Sequence, residues 1–173
     1  MNIESPESPG RERGMRIVTI TISTSKSAGE GNDEGTPALA AFVGSLGARL
    51  VTSELIPDHQ ELIADRLRHW ADSGEVDAIF TSGGTGLAMS DVTPEATTSV
   101  IDRAAPGIAE AMRLASKPHT KYWMMSRGVA GLRGSTLIVN FPGNPRAIAE
   151  AGEPLLDTLE HAMALLLIEG GGH

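Results

Sequence analysis

The feature that most constrains the fold is the alternation of short β-branched runs with longer segments of helical periodicity. Residues 15 to 23, MRIVTITIS, form an almost continuous apolar and β-branched run, as expected for a strand that is buried on both faces of a sheet. Comparable runs occupy residues 48 to 56, 76 to 83 and 135 to 143. These four runs predict four strands.

The segments between the strands have the spacing of amphipathic helices. Apolar residues between 37 and 46 recur at helical intervals, and the pattern closes at Gly47. In the next segment Asp58 is predicted as the N-cap, with Glu61 completing a capping box. Further helices are predicted at residues 94 to 102 and 107 to 116, and a pair between residues 145 and 168. Strands alternating with helices predict an α/β fold with a mostly parallel sheet and helices on both faces.

The length of 173 residues suits one domain, which we place at residues 15 to 168. Residues 1 to 14 and 169 to 173 have the composition of a disordered lead-in and a flexible tail. The absence of cysteine excludes disulfides, thiolate metal sites and a cysteine nucleophile. No run is long and apolar enough for a membrane span, and the N-terminus lacks the apolar core of a signal peptide, so we expect no membrane association and a cytoplasmic location.

The charge is uneven along the chain. A formal net charge of -8 argues against nonspecific nucleic-acid binding. Residues 103 to 146 nevertheless carry seven basic residues and a single acid, Glu110. Two interpretations stay open: either solvated helix faces are basic here, or the segment contributes to a focused site for an anionic small molecule.

In sheets of this kind, ligands bind beyond the carboxyl ends of the strands. That rule selects four loops, at residues 23 to 35, 57 to 58, 82 to 91 and 140 to 145. In and just before the third loop, the amides of three glycines, Gly83, Gly84 and Gly86, can approach a phosphate closely. Thr81, Ser82 and Thr85 add hydroxyl donors. Glycines at such a turn also serve tight packing, so the motif alone does not decide between the two roles.

Two aspartates stand out in these loops. Asp91 precedes a helix start with Thr93 as the predicted N-cap and Pro94 at the first helical position. A carboxylate beside a phosphate requires a cation, and Mg²⁺ binds through one or two carboxylates together with phosphate oxygens. Asp58 is the candidate for the second carboxylate, although a plain helix cap would also explain it.

The remaining loops add donors and rigid turns. Arg127 and Arg133 have planar guanidinium groups that suit phosphate, and Lys26 follows the first strand. Pro142 and Gly143 predict a rigid turn, which suits a preformed pocket wall but is also explained by turn formation alone.

Several activities are disfavoured. The chain contains no GxxxxGK[ST], no GxGxxG after the first strand and no GxSxG, which are the motifs of Walker-type nucleotidases, standard dinucleotide folds and serine hydrolases. Its five histidines show no metal-ligand spacing.

Longer motifs identify a family resemblance. In order and spacing, TSGGTG, DVTPEAT, PGIAEAMR and SRGVAGLRGSTLIVNFPGNPRA closely resemble the molybdenum-cofactor proteins MogA and MoaB and the gephyrin G domain. The match extends from about Arg16 to Leu167. The resemblance implies a three-layer α/β/α domain, commonly trimeric, whose active members transfer AMP from ATP to the terminal phosphate of molybdopterin with Mg²⁺.

Position by position, the resemblance places the catalytic and metal-binding aspartates at Asp58 and Asp91. The expected substrate- and phosphate-binding residues are Ser23, Ser82, Gly83, Gly84, Thr85, Gly86, Ser126, Arg127, Pro142, Gly143 and Asn144. Joining two anionic reactants requires charge neutralisation and alignment, for which we expect Mg²⁺, the loop amides and Arg127 or Arg133.

The chain departs from the family pattern at two places. Met89 and Ser90 precede the DVTP aspartate where many relatives have arginine, and Asn144 replaces a common serine. Both changes are expected to affect nucleotide affinity while leaving the two aspartates in place. The leading hypothesis is a molybdopterin adenylyltransferase. The alternatives are a noncatalytic molybdopterin-binding member and a nucleotide-metabolising domain of the CinA type, which shares the GGTG region but usually carries a further domain.

Overall fold

One six-stranded β-sheet organises the protein. The computed structural model of the protein describes residues 14 to 170. Its strands are β1 (Arg16–Ile22), β2 (Arg49–Ile56), β3 (Ala78–Ser82), β4 (Arg103–Ala104), β5 (Ala130–Arg133) and β6 (Thr136–Phe141). Its helices are α1 (Thr24–Ser27), α2 (Gly35–Ser45), α3 (Gln60–Asp72), α4 (Thr93–Thr98), α5 (Pro106–Ser116) and α6 (Pro145–Gly170), with one 3-10 turn at Trp123–Met125.

The sheet is mostly parallel, as predicted. Its strand order is β2-β1-β3-β6-β5-β4, and the neighbouring pairs among β2, β1, β3 and β6 are parallel. These are the four predicted strands. Strand β5 runs antiparallel to β6, and β4 runs antiparallel to β5.

The sequence patterns do not predict the two antiparallel strands. Strand β5 has only four residues and β4 only two, so neither is long enough to show a period. A two-residue turn connects β5 to β6, and its first residue, Gly134, has a φ of 55°. Tight hairpins need that left-handed conformation.

Helices cover both faces of the sheet and create two hydrophobic cores. On one face, α2, α5 and α6 pack around the rings of Phe42, Phe80 and Phe141, which are tilted against one another with centroids 5.1 to 6.1 Å apart. On the other face, α3 and α4 contribute Ile63, Leu67, Ala64 and Ala96 to a core with Val18, Ile20, Ile79 and Ile138. The expected three-layer α/β/α arrangement is confirmed.

The predicted pair of C-terminal helices is wrong, because α6 is one continuous helix that contains Pro154. A proline inside a helix costs about 3 kcal/mol. On the core side of α6, Ile148, Leu155 and Leu159 are almost fully buried. Each such side chain contributes about 1.5–3 kcal/mol. Their burial therefore outweighs the cost of the proline.

The ends of the chain fall largely outside the described residues. This applies to the predicted disordered segment at residues 1 to 14, apart from Gly14, and to the predicted tail at 169 to 173 beyond Gly170. Between residues 14 and 170, no helix combines the length and the hydrophobicity needed to cross a membrane.

Candidate functional site

The four predicted loops meet at the carboxyl ends of the parallel strands. Directly after β1, the amide of Ser23 donates to the carbonyl of Ile56, the last residue of β2, at 2.9 Å. Ser82, the last residue of β3, donates its hydroxyl to the carbonyl of Pro142 after β6, at 3.0 Å. Because β5 runs antiparallel to β6, the segment before β5 returns to the same edge. This edge is the candidate site.

The glycine loop, residues 83 to 86, needs glycine for steric reasons. Gly83 and Gly84 have φ values of 100° and 65°, in the left-handed region that favours glycine. A Cβ on Gly83 would lie 2.2 Å from the carbonyl oxygen of Ile22, and one on Gly84 would lie 2.4 Å from the Oγ1 of Thr93. Tight packing is thus one role of this motif.

The same loop also leaves amides available. The amide of Gly83 donates to the carbonyl of Phe141 at 3.3 Å. Within the described part of the chain, the next three amides, those of Gly84, Thr85 and Gly86, donate to no protein acceptor. Successive unpaired N–H groups in such a turn can bind an anion. The packing role and a phosphate-binding role are therefore compatible.

Asp58 lies beside this loop. Its Oδ2 accepts hydrogen bonds from the amide and the hydroxyl of Thr24, at 2.8 and 2.9 Å. Its Oδ1 lies next to the glycine loop, since a Cβ on Gly84 would come within 3.1 Å of that oxygen. Asp58 is partly exposed, and both Thr24 donors bind its other oxygen, which leaves Oδ1 for a ligand.

Asp91 approaches the other end of the loop. Its Oδ2 accepts a hydrogen bond from the amide of Ala88 at 3.0 Å, and a Cβ on Gly86 would lie 2.8 Å from the same oxygen. Asp58 therefore lies next to Gly84 and Asp91 next to Gly86, at neighbouring glycines of one loop. Both predicted carboxylates thus approach the glycine loop, and their joint binding of a metal stays a prediction.

The two predicted helix caps are wrong. Helix α3 is capped by His59, whose Nδ1 accepts from the amide of Leu62 at 3.4 Å, because the Asp58 side chain is bound to Thr24 instead. Helix α4 has Val92 at its N-cap. Thr93 turns its hydroxyl to the carbonyl of Gly83, at 2.9 Å, and so holds the glycine loop rather than the helix start.

Arg127 connects three parts of the site. Its amide donates to the carbonyl of Thr85 at 2.8 Å, and its Nε donates to that of Gly86 at 2.7 Å. Its Nη2 donates to the carbonyl of Asp91 at 2.6 Å, and its Nη1 pairs with the Glu95 carboxylate on α4. The Arg127 guanidinium holds the pKa of Glu95 below its ordinary value. Three of the side-chain donors of Arg127 are thus bound to the protein.

Arg133, the other predicted anion-binding arginine, lies at the opposite end of the sheet. It pairs with Thr136 at the amino end of β6, and its guanidinium contacts both oxygens of Asp72, at 2.8 and 2.9 Å. The prediction that it neutralises substrate charge is wrong. The reversal of β5 separates it from Arg127.

The Pro-Gly turn packs directly on the glycine loop. A Cβ on Gly143 would lie 3.2 Å from the Cα of Gly83, and Ser82 binds the carbonyl of Pro142. Asn144 accepts a hydrogen bond from the amide of Arg146 at 3.0 Å, at the start of α6. Glycine at position 143 allows this close contact, and Asn144 anchors the following helix.

Two of the three predicted serines, Ser23 and Ser126, have mainly local contacts. The hydroxyl of Ser23 accepts from the amide of Lys26 at 3.4 Å and caps α1. The hydroxyl of Ser126 accepts from the amide of Gly128, also at 3.4 Å. Both distances are long for a hydrogen bond, so both hydroxyls remain available to a ligand.

A pocket that sequence reasoning missed adjoins this site. It has a cavity volume of about 100 Å³ and lies between α5, the 3-10 turn and the start of α6. Its lining includes Met112, Tyr122, Trp123, Ser126, Asn140 and Pro142. Ser126 and Pro142 also belong to the predicted site, so the pocket continues from it. The sequence feature that could have indicated this pocket is the adjacent pair Tyr122 and Trp123, because the chain has only one Tyr and two Trp.

Part of the basic segment surrounds this pocket. Lys117 Nζ lies 5.6 Å from the centre of the Trp123 ring, and Lys121 Nζ lies 5.1 Å from that of Tyr122. Arg113 lines the cavity and donates to the carbonyl of Gly128 at 2.9 Å. One cation thus lines the pocket, and two others lie beside its aromatic rings. The interpretation as an anion site stays a prediction for this part of the segment, whereas Arg133 belongs to an ion pair with Asp72.

The site offers carboxylates but no complete protein metal cage. Among residues 14 to 170, no three His, Asp or Glu side chains are grouped as metal ligands. Asp58 and Asp91 are a pair of carboxylates at a loop with free amides. That donor set suits a cation that completes its coordination with substrate oxygens and water, as Mg²⁺ does.

Comparison with known proteins agrees with this geometry. The model of a family described as "Probable molybdopterin binding domain" matches residues 18 to 161. The molybdopterin adenylyltransferase of Escherichia coli K12 is 39% identical over 148 residues, which cover 83% of this chain and 74% of that protein. The Drosophila melanogaster molybdenum cofactor synthesis protein cinnamon is 37% identical over 135 residues, or 78% of this chain, which spans only 22% of that longer protein.

A solved structure shows the same fold. The molybdopterin biosynthesis enzyme MoaB from Thermus thermophilus superposes with a TM-score of 0.82 at 42% identity, covering 88% of this chain and 96% of that one. The family match spans most of the chain, and the sequence identity and the fold agree with it. The chain therefore belongs to the molybdopterin-binding family that includes MogA and MoaB.

Proposed function

We propose that this protein is a molybdopterin adenylyltransferase of molybdenum cofactor biosynthesis. A phosphate oxygen of molybdopterin attacks the α-phosphorus of ATP, a new P–O–P bond forms, and pyrophosphate leaves with the electrons of the broken bond. One observation carries the proposal: Asp58 and Asp91 flank a loop that presents three unpaired amides. In addition, the chain is 39% identical over 148 residues to a protein named molybdopterin adenylyltransferase.

The charge of the reactants explains why this site suits the reaction. Both substrates are anionic, so the reaction requires neutralisation and alignment rather than a protein nucleophile. Asp58 and Asp91 would hold Mg²⁺, which when bound supplies positive charge against the phosphates. The amides of residues 84 to 86 would bind phosphate oxygens directly.

Arg127 has a different role in this proposal from direct phosphate binding. Its contacts with Gly86, Asp91 and Glu95 keep the glycine loop and one carboxylate in fixed relation. Holding reacting groups in place is a large part of catalysis when two anions must be aligned. Any contact with phosphate would use its remaining N–H donors, because a guanidinium has five.

We assign the pterin ring to the pocket beside Trp123. A flat aromatic heterocycle fits a cavity with an indole wall and a few polar groups. Arg113 lines this pocket, Lys117 and Lys121 lie beside its Trp123 and Tyr122 rings, and these positive charges would attract an anionic ligand. Because Ser126 and Pro142 line both the pocket and the site, a ligand in the pocket can extend its phosphate towards the glycine loop.

We also propose that the protein assembles as a homotrimer. Several large apolar side chains are exposed on the single chain, including Leu87, Leu114, Tyr122 and Met124. These side chains are available to a subunit contact, and the trimer itself is taken from the family resemblance. Light scattering of the purified protein measures the mass, and a monomer would contradict the assignment. The cytoplasmic location and the lack of nucleic-acid binding stay predictions of the sequence.

The decisive assay supplies purified protein with molybdopterin and ATP, with and without Mg²⁺. We expect pyrophosphate and adenylylated molybdopterin only when Mg²⁺ is present. Binding of molybdopterin without either product would support the noncatalytic alternative. Consumption of a nucleotide without molybdopterin would support a CinA-type activity.

A further inference from the structure

Thr24 and Asp58 form a reciprocal pair of hydrogen-bonding residues. The Thr24 amide and hydroxyl both donate to Asp58 Oδ2, at 2.8 and 2.9 Å. In return, the amide of Asp58 donates to the Thr24 hydroxyl oxygen at 3.0 Å. Three hydrogen bonds thus join two residues that are 34 positions apart in the sequence.

The main chain brings these two residues together. Strands β1 and β2 are parallel neighbours, and the Ser23 amide binds the carbonyl of Ile56 at 2.9 Å just before both residues. Thr24 and Asp58 therefore leave the sheet side by side. The backbone places the pair, but only the Thr24 hydroxyl contacts both the Asp58 carboxylate and the Asp58 amide.

These contacts distinguish the two carboxylate oxygens. Oδ2 accepts both Thr24 donors, whereas Oδ1 faces the glycine loop at Gly84. Charge-assisted hydrogen bonds to a carboxylate are about twice as strong as neutral ones. Rotation of the Asp58 side chain would break two of them at once. The orientation of Oδ1 towards the loop is therefore enforced.

We propose that Thr24 is a positioning residue for the Mg²⁺–ATP complex, acting through Asp58. It fixes the carboxylate so that Oδ1 is the oxygen presented to a cation on the bound phosphates. This inference rests on the proposed function, because it takes Asp58 as a metal ligand. A residue that only supported α1 would affect stability, but not the contribution of Mg²⁺ to nucleotide affinity.

Binding of α,β-methylene-ATP, measured by calorimetry with Mg²⁺ and with EDTA, tests this role without turnover. In Thr24→Val the hydroxyl is lost at nearly constant shape. We expect affinity with Mg²⁺ to fall about tenfold, and affinity in EDTA to stay unchanged. Thr24→Ser retains the hydroxyl and should restore the Mg²⁺-dependent affinity. Thr158→Val is the matched control. The Thr158 hydroxyl donates to the Pro154 carbonyl on the exposed side of α6, so its loss should change neither affinity.

Measuring Thr24→Val in the Asp58→Ala background distinguishes a failure of the positioning role from a failure of the metal site. If Thr24 acts through Asp58, Thr24→Val has no further effect in the Asp58→Ala background, because interacting residues are not additive. Equal losses in both backgrounds would overturn the positioning role. An unchanged affinity of Thr24→Val, with a clear loss in Asp58→Ala, would also overturn it while leaving the metal site standing. An unchanged Mg²⁺-dependent affinity in Asp58→Ala would instead refute the metal site of the proposed function.

Discussion

The guanidinium Nη2 of Arg127 donates to the main-chain carbonyl of Asp91 at 2.6 Å. This bond joins the segment before β5 to the loop that carries a candidate metal ligand. The same guanidinium binds Gly86 and Glu95, so one side chain connects the glycine loop, the aspartate and the first turn of α4. The position of the Asp91 carboxylate therefore depends on an arginine 36 residues away in the sequence.

Arg127→Lys should lower kcat about 100-fold, because a misplacement of about 1 Å at reacting groups has an effect of that size. Lysine keeps the charge but cannot reproduce the planar fork that binds several carbonyls. Pyrophosphate release measures the loss. Arg66→Lys is the control, since Arg66 pairs with Glu54 on β2 away from the site. A kcat of Arg127→Lys equal to that of the control would contradict the role.

Asp91→Asn should reduce turnover by at least about 100-fold while the fold stays intact. The asparagine oxygen can still accept the hydrogen bond from Ala88, so the loop conformation is retained and only the negative charge is lost. Turnover and thermal unfolding are measured on the same samples. Asp102→Asn, at the β5–β6 hairpin, is the matched control and should retain activity. Normal turnover of Asp91→Asn would show that the metal-site assignment is wrong.

Gly84→Ala should destabilise the fold by about 1–3 kcal/mol and abolish activity. The residue has a positive φ, and its new Cβ would lie 2.4 Å from the Oγ1 of Thr93. Gly74 provides a close control. Its φ is 72°, but nothing lies within 4 Å of an added Cβ, so Gly74→Ala carries the backbone strain alone. Urea unfolding measures both variants. Equal losses of stability would show that the contact with Thr93 is unimportant.

Trp123→Ala should raise the KM for molybdopterin about tenfold and leave the KM for ATP unchanged, because it removes the aromatic wall of the pocket. Trp123→Phe keeps an aromatic ring and should recover most of the affinity. Steady-state kinetics with each substrate varied in turn give both constants. A change confined to the KM for ATP would place the nucleotide, not the pterin, in this pocket.

Stability should fall in acid through Asp77. Burial alone would raise the pKa of Asp77, but hydrogen bonds from the side chain and amide of Arg16 lower it below its ordinary value. The folded pKa is therefore below the unfolded pKa of about 3.9. The resulting stabilisation is complete above about pH 4 and is lost as the pH falls through the folded pKa.

Urea unfolding at pH 7 and in steps below pH 4 measures this dependence. Asp77→Asn should cost about 1–2 kcal/mol at pH 7 and reduce the acid sensitivity. Asp65→Asn, which removes an exposed pair with Arg68, should have little effect at any pH. An acid profile of Asp77→Asn identical to that of the unmodified protein would contradict the prediction.

The sequence predicts the four parallel strands well because strands such as β1 are buried and consist mainly of apolar and β-branched residues. It also identifies the ligand-binding edge, since the loops after parallel strands share one end of the sheet. Prediction from the sequence fails where tertiary packing determines the local structure. Helix α6 continues through Pro154 because Leu155 and Leu159 are buried, and no local rule contains that information.

Side-chain partners were the least predictable part of the site. Sequence spacing makes Asp58 a plausible helix cap, and only the neighbouring strand β1 shows that Thr24 binds it instead. Arg127 and Arg133 look equivalent in sequence, yet β5 carries them to opposite ends of the sheet. The pocket is assembled from α5, the 3-10 turn, β6 and α6, so no single motif describes it.

The locations of the two tryptophans allow ligand binding to be followed by intrinsic fluorescence. Trp70 donates to Glu54 at 2.8 Å on the α3 side of the sheet, whereas Trp123 lines the pocket on the other side. With Trp70 replaced by phenylalanine, the emission of the remaining indole comes from the pocket wall alone. Occupancy of that cavity then becomes visible by fluorescence, without any attached label.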